Sequence, residues 1–290
     1  MGQVIFVVCR ESIEALLVIG ILYAWMSGRA DGKKGKYWVL MGVLAGIGLA
    51  VLLALTLVGV TDFLGGPARD WFEIGMLGFA SMLIVQMVMW MRVHGRTLKR
   101  ELESRLDENA NMANWWGAFF LAMIAVGREG SETIMFLYGS FLQLNSLASY
   151  LNFFAACGIG FALAMVLFYL LQIGSRFISW RWFFRVTEIM LLFLGSALFL
   201  TAAEKLLNGP MAVMELPGWI YSGVWNTSWL LNDSSILGNL LASLFAYRSR
   251  PICWDLGVIA LYWSSVLGML WWQKYRRDRW AELMKVEESS

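Results

Sequence analysis

Histidine occurs once in this chain, at His94, and cysteine three times, at Cys9, Cys157 and Cys253, with no C-x-x-C spacing. That scarcity excludes a zinc-protease or proton-shuttle histidine cluster. It also gives no footing to a thiolate metal site or a disulfide framework, so the thiols read as small buried hydrophobes. No P-loop, nucleotide fingerprint or Ser-His-Asp arrangement offers an ATP-driven or hydrolytic alternative, and no enzyme or nucleic-acid partner is expected. Charge is scarce too: of 290 residues only 15% are charged while 59% are hydrophobic, and the mean hydropathy is +0.61. A soluble domain carries about 25% charged residues, so this balance excludes one.

What the chain has instead is long apolar runs. Crossing a hydrocarbon core of ~30 Å takes ~20 helical residues. Runs of that length lie at 4–26, 37–60, 72–91, 115–140, 151–173, 183–203 and 252–272. A β-barrel would show short alternating segments, so the expected fold is an all-α polytopic membrane protein with seven transmembrane helices. The first run is broken by three charges and lacks a small-x-small cleavage site, which speaks against a signal peptide.

Lys and Arg are distributed unevenly between the loops. Arg29, Lys33, Lys34 and Lys36 follow span one; Arg92, Arg96, Lys99, Arg100 and Arg105 follow span three; Arg176, Arg181 and Arg185 follow span five; the tail from Lys274 is also basic. The other side holds only Arg69, Lys205, Arg248 and Arg250. Positive residues mark the cytoplasmic side, which places the N-terminus outside and the C-terminus in the cytoplasm. Trp25, Trp38, Trp71, Trp90, Trp115, Trp116, Trp271 and Trp272 cluster at the expected span ends, where amphipathic rings meet headgroups. In span two, Gly42 and Gly46 form a small-xxx-small pair suited to close helix contact.

Spans one and four carry the same interruption. Arg10, Glu11 and Glu14 are spaced R-E-x-x-E, as are Arg128, Glu129 and Glu132. At about 100° per residue the three side chains of each motif share one helix face. At ~2.5–3.5 kcal/mol per charge at a helix centre, six such residues facing lipid would cost roughly 15–20 kcal/mol, so they face the bundle interior or water. A weaker echo joins spans three and six, where Glu73-Ile74 matches Glu188-Ile189 and Ser81 matches Ser196. Residues 1–273 thus read as one transmembrane domain built as a 3+3 inverted repeat plus one. Repeat 1 covers about 4–92, repeat 2 about 115–204 and the seventh helix about 252–272; a basic then acidic cytoplasmic tail, 274–290, follows. Inverted repeats place a shared site at their interface near the midplane.

Glu11, Glu14, Glu129 and Glu132 offer only hard oxygen ligands, suited to Mg²⁺, Ca²⁺, Mn²⁺ and, by extension, Fe³⁺. Arg10 and Arg128, as supporting counter-ions, trim the formal charge from −4 to −2. The plain alternative is polar glue, each Arg neutralising its own Glu; against it, each motif keeps a surplus carboxylate. Glu73 and Glu188 fall at opposite mouths of the central site. They read either as an inlet and an outlet ligand or as charges tolerated at the interface. The long external segment before span seven presents Trp219, Tyr221, Trp225 and Trp229, suited either to a partner surface or to the lipid headgroups.

With these residues in view the chain resembles the high-affinity iron permeases, which include the fungal plasma-membrane permease and bacterial EfeU-type iron transporters. The resemblance covers nearly the whole chain. It rests on the two R-E-x-x-E motifs, on "FEIGMLGFASMLIVQMVMWMR" in span three and on "VWNTSWLLNDSSILGNLLASLFAYRSRP" before span seven. It implies seven helices, an external N-terminus, transport of iron (Fe²⁺ or Fe³⁺) across the cell membrane, and Glu11, Glu14, Glu129 and Glu132 as iron ligands. No cofactor is expected beyond the transported iron. The chain departs from the family at Ser12-Ile13 and Gly130-Ser131 between the motif glutamates and at Ile74. The two serines are open to hydroxyl contact or helix packing. No long extracytoplasmic N-terminal extension is seen, so a ferroxidase or iron-delivery partner is expected to be a separate protein. Two other readings stay open: transport of another divalent or trivalent cation or of protons, and a carboxylate di-iron redox enzyme. The second is disfavoured because such centres use Glu-x-x-His.

Overall fold

The computed structural model describes residues 1–27, 32–94, 115–142, 144, 146–173, 180–213, 217–233 and 235–288. Among these residues the long helices are α1 (Gly2–Ser27), α2 (Gly32–Phe63), α3 (Pro67–His94), α4 (Trp116–Phe141), α5 (Leu147–Ile173), α6 (Trp180–Asn208) and α8 (Cys253–Glu288), with a short α7 (Ile236–Phe245). Two 3₁₀ turns, Pro210–Val213 and Gly218–Tyr221, lie between α6 and α7. Every expected span falls on a helix. Five of them are long and apolar enough to cross a bilayer: Lys33–Phe63, Pro67–Arg92, Leu147–Gln172, Arg185–Asn208 and Cys253–Arg276. The protein is therefore an all-helical, multi-pass membrane protein. The remaining long helices, α1 and α4, are 26 residues each and carry the two motifs. Their mid-helix charges, not their lengths, set them apart.

Burial follows from the solvent each face meets. On α2 and α5 the large apolar side chains Leu44, Leu52, Leu55, Leu151, Phe154 and Phe161 point outward, as surfaces against hydrocarbon should. α6 lies deepest, with Leu191 and Leu194 fully buried in the main apolar core that also holds Ile84 of α3 and Phe136 of α4, and Leu200 fully buried in a smaller cluster with Ala246 and Val258.

Helix pairing has a symmetric pattern. α2 packs along α4 and α1 along α5, while α1 also meets α4 and α3 lies along α6. Exchanging α1 with α4, α2 with α5 and α3 with α6 returns these same pairs, whereas α3 also packs on α4 and α1 on α2 without comparable counterparts. The close approaches repeat as well. A Cβ on Gly46 would meet Met123 O at 2.8 Å, Gly127 N at 2.9 Å and Val126 Cβ at 2.9 Å. One on Gly160 would meet Ile5 O at 2.8 Å, Val8 Cβ at 3.0 Å and Cys9 N at 3.3 Å. Ile5, Val8 and Cys9 precede Met123, Val126 and Gly127 by the interval that separates Arg10 from Arg128. Gly42 is tighter still, its would-be Cβ 2.4 Å from Phe119 O. Only glycine lets these backbones meet. α3 and α6 cross where the Ser81 hydroxyl donates to Gly195 O at 2.8 Å.

The basic then acidic tail continues α8 as far as Glu288, in a stretch that holds no Gly or Pro and is rich in Arg, Lys and Glu. α7 was not anticipated. Ser235 caps it by accepting from Gly238 N at 3.0 Å, and Ala246 ends it in the left-handed region at φ 57°. The segment around α7 is pinned: Asp233 accepts from Ser249 N at 2.9 Å and Ser249 Oγ at 2.8 Å. Arg248 forks onto Glu204 at 2.7 and 2.8 Å. Trp219, Tyr221, Trp225 and Trp229 remain exposed on its surface. Of the basic residues used for orientation, Arg29, Arg96, Lys99, Arg100, Arg105 and Arg176 lie outside the described residues.

Candidate metal site

The glycine contacts bring the middle of α1 and the middle of α4 to the centre of the bundle, and each middle carries a motif. One carboxylate oxygen from each of Glu11, Glu14 and Glu129 falls within 4.8 Å of the other two. All three residues are buried, at 1%, 8% and 6% exposure. Glu132 is not part of this close set, although it lies on the same face and its Oε2, like those of Glu11 and Glu129, is buried with no hydrogen-bond partner. Three carboxyl groups crowded in an apolar bundle have lost their water, and in charged form they repel one another, so nearby cations stabilise the cluster.

The two arginines supply part of that compensation, and unequally. Arg10 is almost wholly buried: Nη1 lies 2.6 Å from Glu11 Oε1, and Nη2 pairs with Glu14 Oε1. Arg128 has a side chain 40% exposed, donates to Glu132 at 3.1 Å, lies 3.4 Å from Glu129 and stacks its guanidinium 5.0 Å from the Trp90 ring centroid. The first motif is closed over its counter-ion and the second is open to one side.

Two sulfurs complete the surroundings of Arg10. Nη1 donates to Met87 Sδ at 3.2 Å and Nη2 to Met91 Sδ at 3.3 Å. Spaced by four on α3, these methionines share a face. In the sequence they were indistinguishable from the span's other apolar residues, and only the i, i+4 spacing hinted at a common direction.

Glu73 and Glu188 lie away from the triad, each engaged by cations. Glu73 accepts from Arg69 at 3.0 Å and from Lys205 of α6 at 2.6 Å. Glu188 of α6 pairs with Arg92 of α3. α3 and α6 thus each lend a carboxylate to a base of the other, at opposite ends of the pair. Ser131 turns its hydroxyl onto Gly127 O of its own helix at 2.5 Å, the packing option rather than a ligand pose.

The chain matches the Iron permease FTR1 family over residues 1–273. It is similar to proteins named ferrous iron permease EfeU. That of Escherichia coli O6:H1 is 26% identical over 267 residues, covering 88% of this chain and 90% of that one. The Yersinia pestis protein is 22% identical over 264 residues, 87% of each chain. An uncharacterized protein of Archaeoglobus fulgidus is 27% identical over 284 residues, 93% of this chain and 94% of its own. No solved structure matches.

Proposed function

The chain belongs to the iron permease family, and we propose that it moves iron across the cytoplasmic membrane through a midplane site built from the glutamates of its two R-E-x-x-E motifs. Its named relatives are permeases rather than enzymes. The observation that carries the reading is the buried triad of Glu11, Glu14 and Glu129, with ligand oxygens within 4.8 Å of one another. Glu132, on the wetter side with Arg128, serves as the fourth ligand once an ion draws it in. Four glutamates and two arginines leave a formal −2, which a divalent ion neutralises. The names of the relatives specify ferrous iron, in line with that balance.

In this reading the membrane domain has seven spans, with α1 and α4 crossing alongside the five apolar helices, the N-terminus outside and the C-terminus in the cytoplasm. The exchange-symmetric packing supports an inverted repeat, for which rocking of one half against the other exposes the site alternately. Glu73 and Glu188 are the inlet and outlet carboxylates, and an arriving ion competes there with Lys205 or Arg92. A separate extracytoplasmic oxidase or iron-delivery protein meets the face bearing Trp219, Trp225 and Trp229.

The test is uptake of radiolabelled iron into proteoliposomes under reducing and oxidising conditions. Glu→Gln at Glu11, Glu14, Glu129 or Glu132 keeps volume but removes an anionic ligand, so each should abolish or severely reduce uptake while leaving membrane insertion intact. Normal uptake by two or more of the four sinks the carboxylate site. Competition with other cations separates an iron carrier from a general cation or proton carrier.

A further inference from the structure

We propose that Met87 and Met91 are selectivity ligands, giving the transported ion a mixed carboxylate–thioether shell that favours a borderline or soft cation over a hard one. The proposal deepens the iron-transport reading above and rests on it.

The guanidinium of Arg10 marks the spot. It is a cation held between two carboxylates on one side and two thioethers on the other. A single nitrogen, Nη1, separates Glu11 Oε1 at 2.6 Å from Met87 Sδ at 3.2 Å. The other terminal nitrogen links Glu14 to Met91 Sδ at 3.3 Å. Each terminal nitrogen of Arg10 touches a carboxylate and a thioether at once, so Met87 and Met91 of α3 lie against the same guanidinium as Glu11 and Glu14. A metal ion that enters the triad and pushes the guanidinium aside finds both sulfurs within one atom's reach of its carboxylate ligands. Buried, unpartnered oxygens of Glu11 and Glu129 point to an ion as the missing partner. A shell of oxygens alone suits Mg²⁺, Ca²⁺ and Mn²⁺, whereas thioethers suit softer ions. Adding two thioethers to the carboxylates shifts preference toward Fe²⁺ and makes the site vulnerable to soft monovalent ions. Met82, on the same helix, is exposed on the outer surface, so methionine in α3 is not by itself a mark of the site.

The experiment compares Met87→Leu, Met91→Leu and the double variant with the wild type, all in a background with Cys9, Cys157 and Cys253 replaced by alanine. The first readout is the ratio of Fe²⁺ to Mn²⁺ uptake in proteoliposomes held under reductant, which cancels differences in folded yield. The double variant should lose about tenfold or more in this ratio, the scale on which single partners of a metal site act. A fall in uptake of both metals by the same factor means the methionines only hold Arg10, and overturns the proposal. An unchanged ratio with uptake still dependent on Glu11 and Glu129 overturns it too, while leaving the iron reading intact. The second readout needs no transport: calorimetric titration of the purified proteins with Ag⁺. The wild type should bind more Ag⁺ per chain, and more tightly, than the double variant, whose remaining methionines and His94 bind the rest; equal stoichiometry and affinity for both refute the thioether site even if iron is not the cargo.

Discussion

Removing Arg10 should hurt this protein far more than removing Arg128, although the two motifs are identical in sequence. The Arg10 side chain is 3% exposed and pairs with Glu11 and Glu14, whose side chains are 2% and 10% exposed. Breaking a buried pair by deleting one partner strands the other's charge and costs roughly 3–5 kcal/mol. Here Arg10→Ala strands two carboxylates beside a third. Arg128 is 40% exposed and pairs less closely, with Glu132 at 3.1 Å and Glu129 at 3.4 Å, so its loss should cost less, on the order of 1 kcal/mol. Converted to midpoints, Arg10→Ala should lower thermal stability in detergent by on the order of 10 °C and Arg128→Ala by about 1–3 °C. Monodispersity after heating reads both. Two further results should follow if charge is the cause: Glu14→Gln in the Arg10→Ala background should recover much of the loss, and Fe²⁺ should stabilise Arg10→Ala more than the wild type, because the ion replaces the missing cation. Equal midpoints for the two single alanine variants would refute the reasoning.

Gly42→Ala should reduce folded yield and cost about 1–3 kcal/mol, since the added carbon would sit 2.4 Å from a backbone oxygen that cannot turn away, while Gly48→Ala, with nothing within 4 Å, should be neutral or slightly stabilising by the same thermal assay. Glu73→Gln leaves Arg69 and Lys205 unanswered at one mouth and should raise the external iron concentration for half-maximal uptake roughly fivefold. Glu188→Gln should instead slow release from preloaded vesicles with little effect on external binding, and identical defects in both would remove the inlet and outlet roles. Asp233→Ala deletes the acceptor for Ser249 N and Oγ, at about 1.5–3 kcal/mol, and should speed hydrogen exchange across residues 217–252 without altering iron uptake.

Every long helix was legible as an apolar run, and both motifs as breaks in one. Solvent is the reason: a hydrocarbon environment makes side-chain polarity along the chain report directly on position. The meeting of Glu11, Glu14 and Glu129 was foreshadowed because stranded charges in lipid have few destinations. Long-range pairing was not legible. Nothing local to Met87 or Met91 tells which of α3's faces meets α1, and nothing local to Glu73 names Lys205 as its partner. The unequal burial of Arg10 and Arg128 also escaped, because identical motifs differ only through their neighbours. α7 went unseen for a different reason: at ten residues it is too short to announce itself by apolar length, and its signals, the Ser235 cap and an apolar periodicity, lay inside a segment read as loop.

The crossed pairing of α1 with α5 and of α2 with α4 bears on how the protein is made. Neither half contains the main partners of its own first two helices, α5 for α1 and α4 for α2. As the chain leaves the ribosome, α1 must wait in or beside the membrane with Arg10, Glu11 and Glu14 incompletely covered until α4 and α5 are synthesised. During that wait the pairing of Arg10 with the two glutamates of its own helix and, once α3 follows, its contacts with Met87 and Met91 soften the exposure. The glycine faces of α2 are equally bare until α4 arrives. Biogenesis is therefore all-or-nothing across the two halves: a chain stopped after α3 is a substrate for insertion chaperones and quality-control proteases, and two halves expressed as separate genes have to interlace during insertion rather than dock as finished pieces.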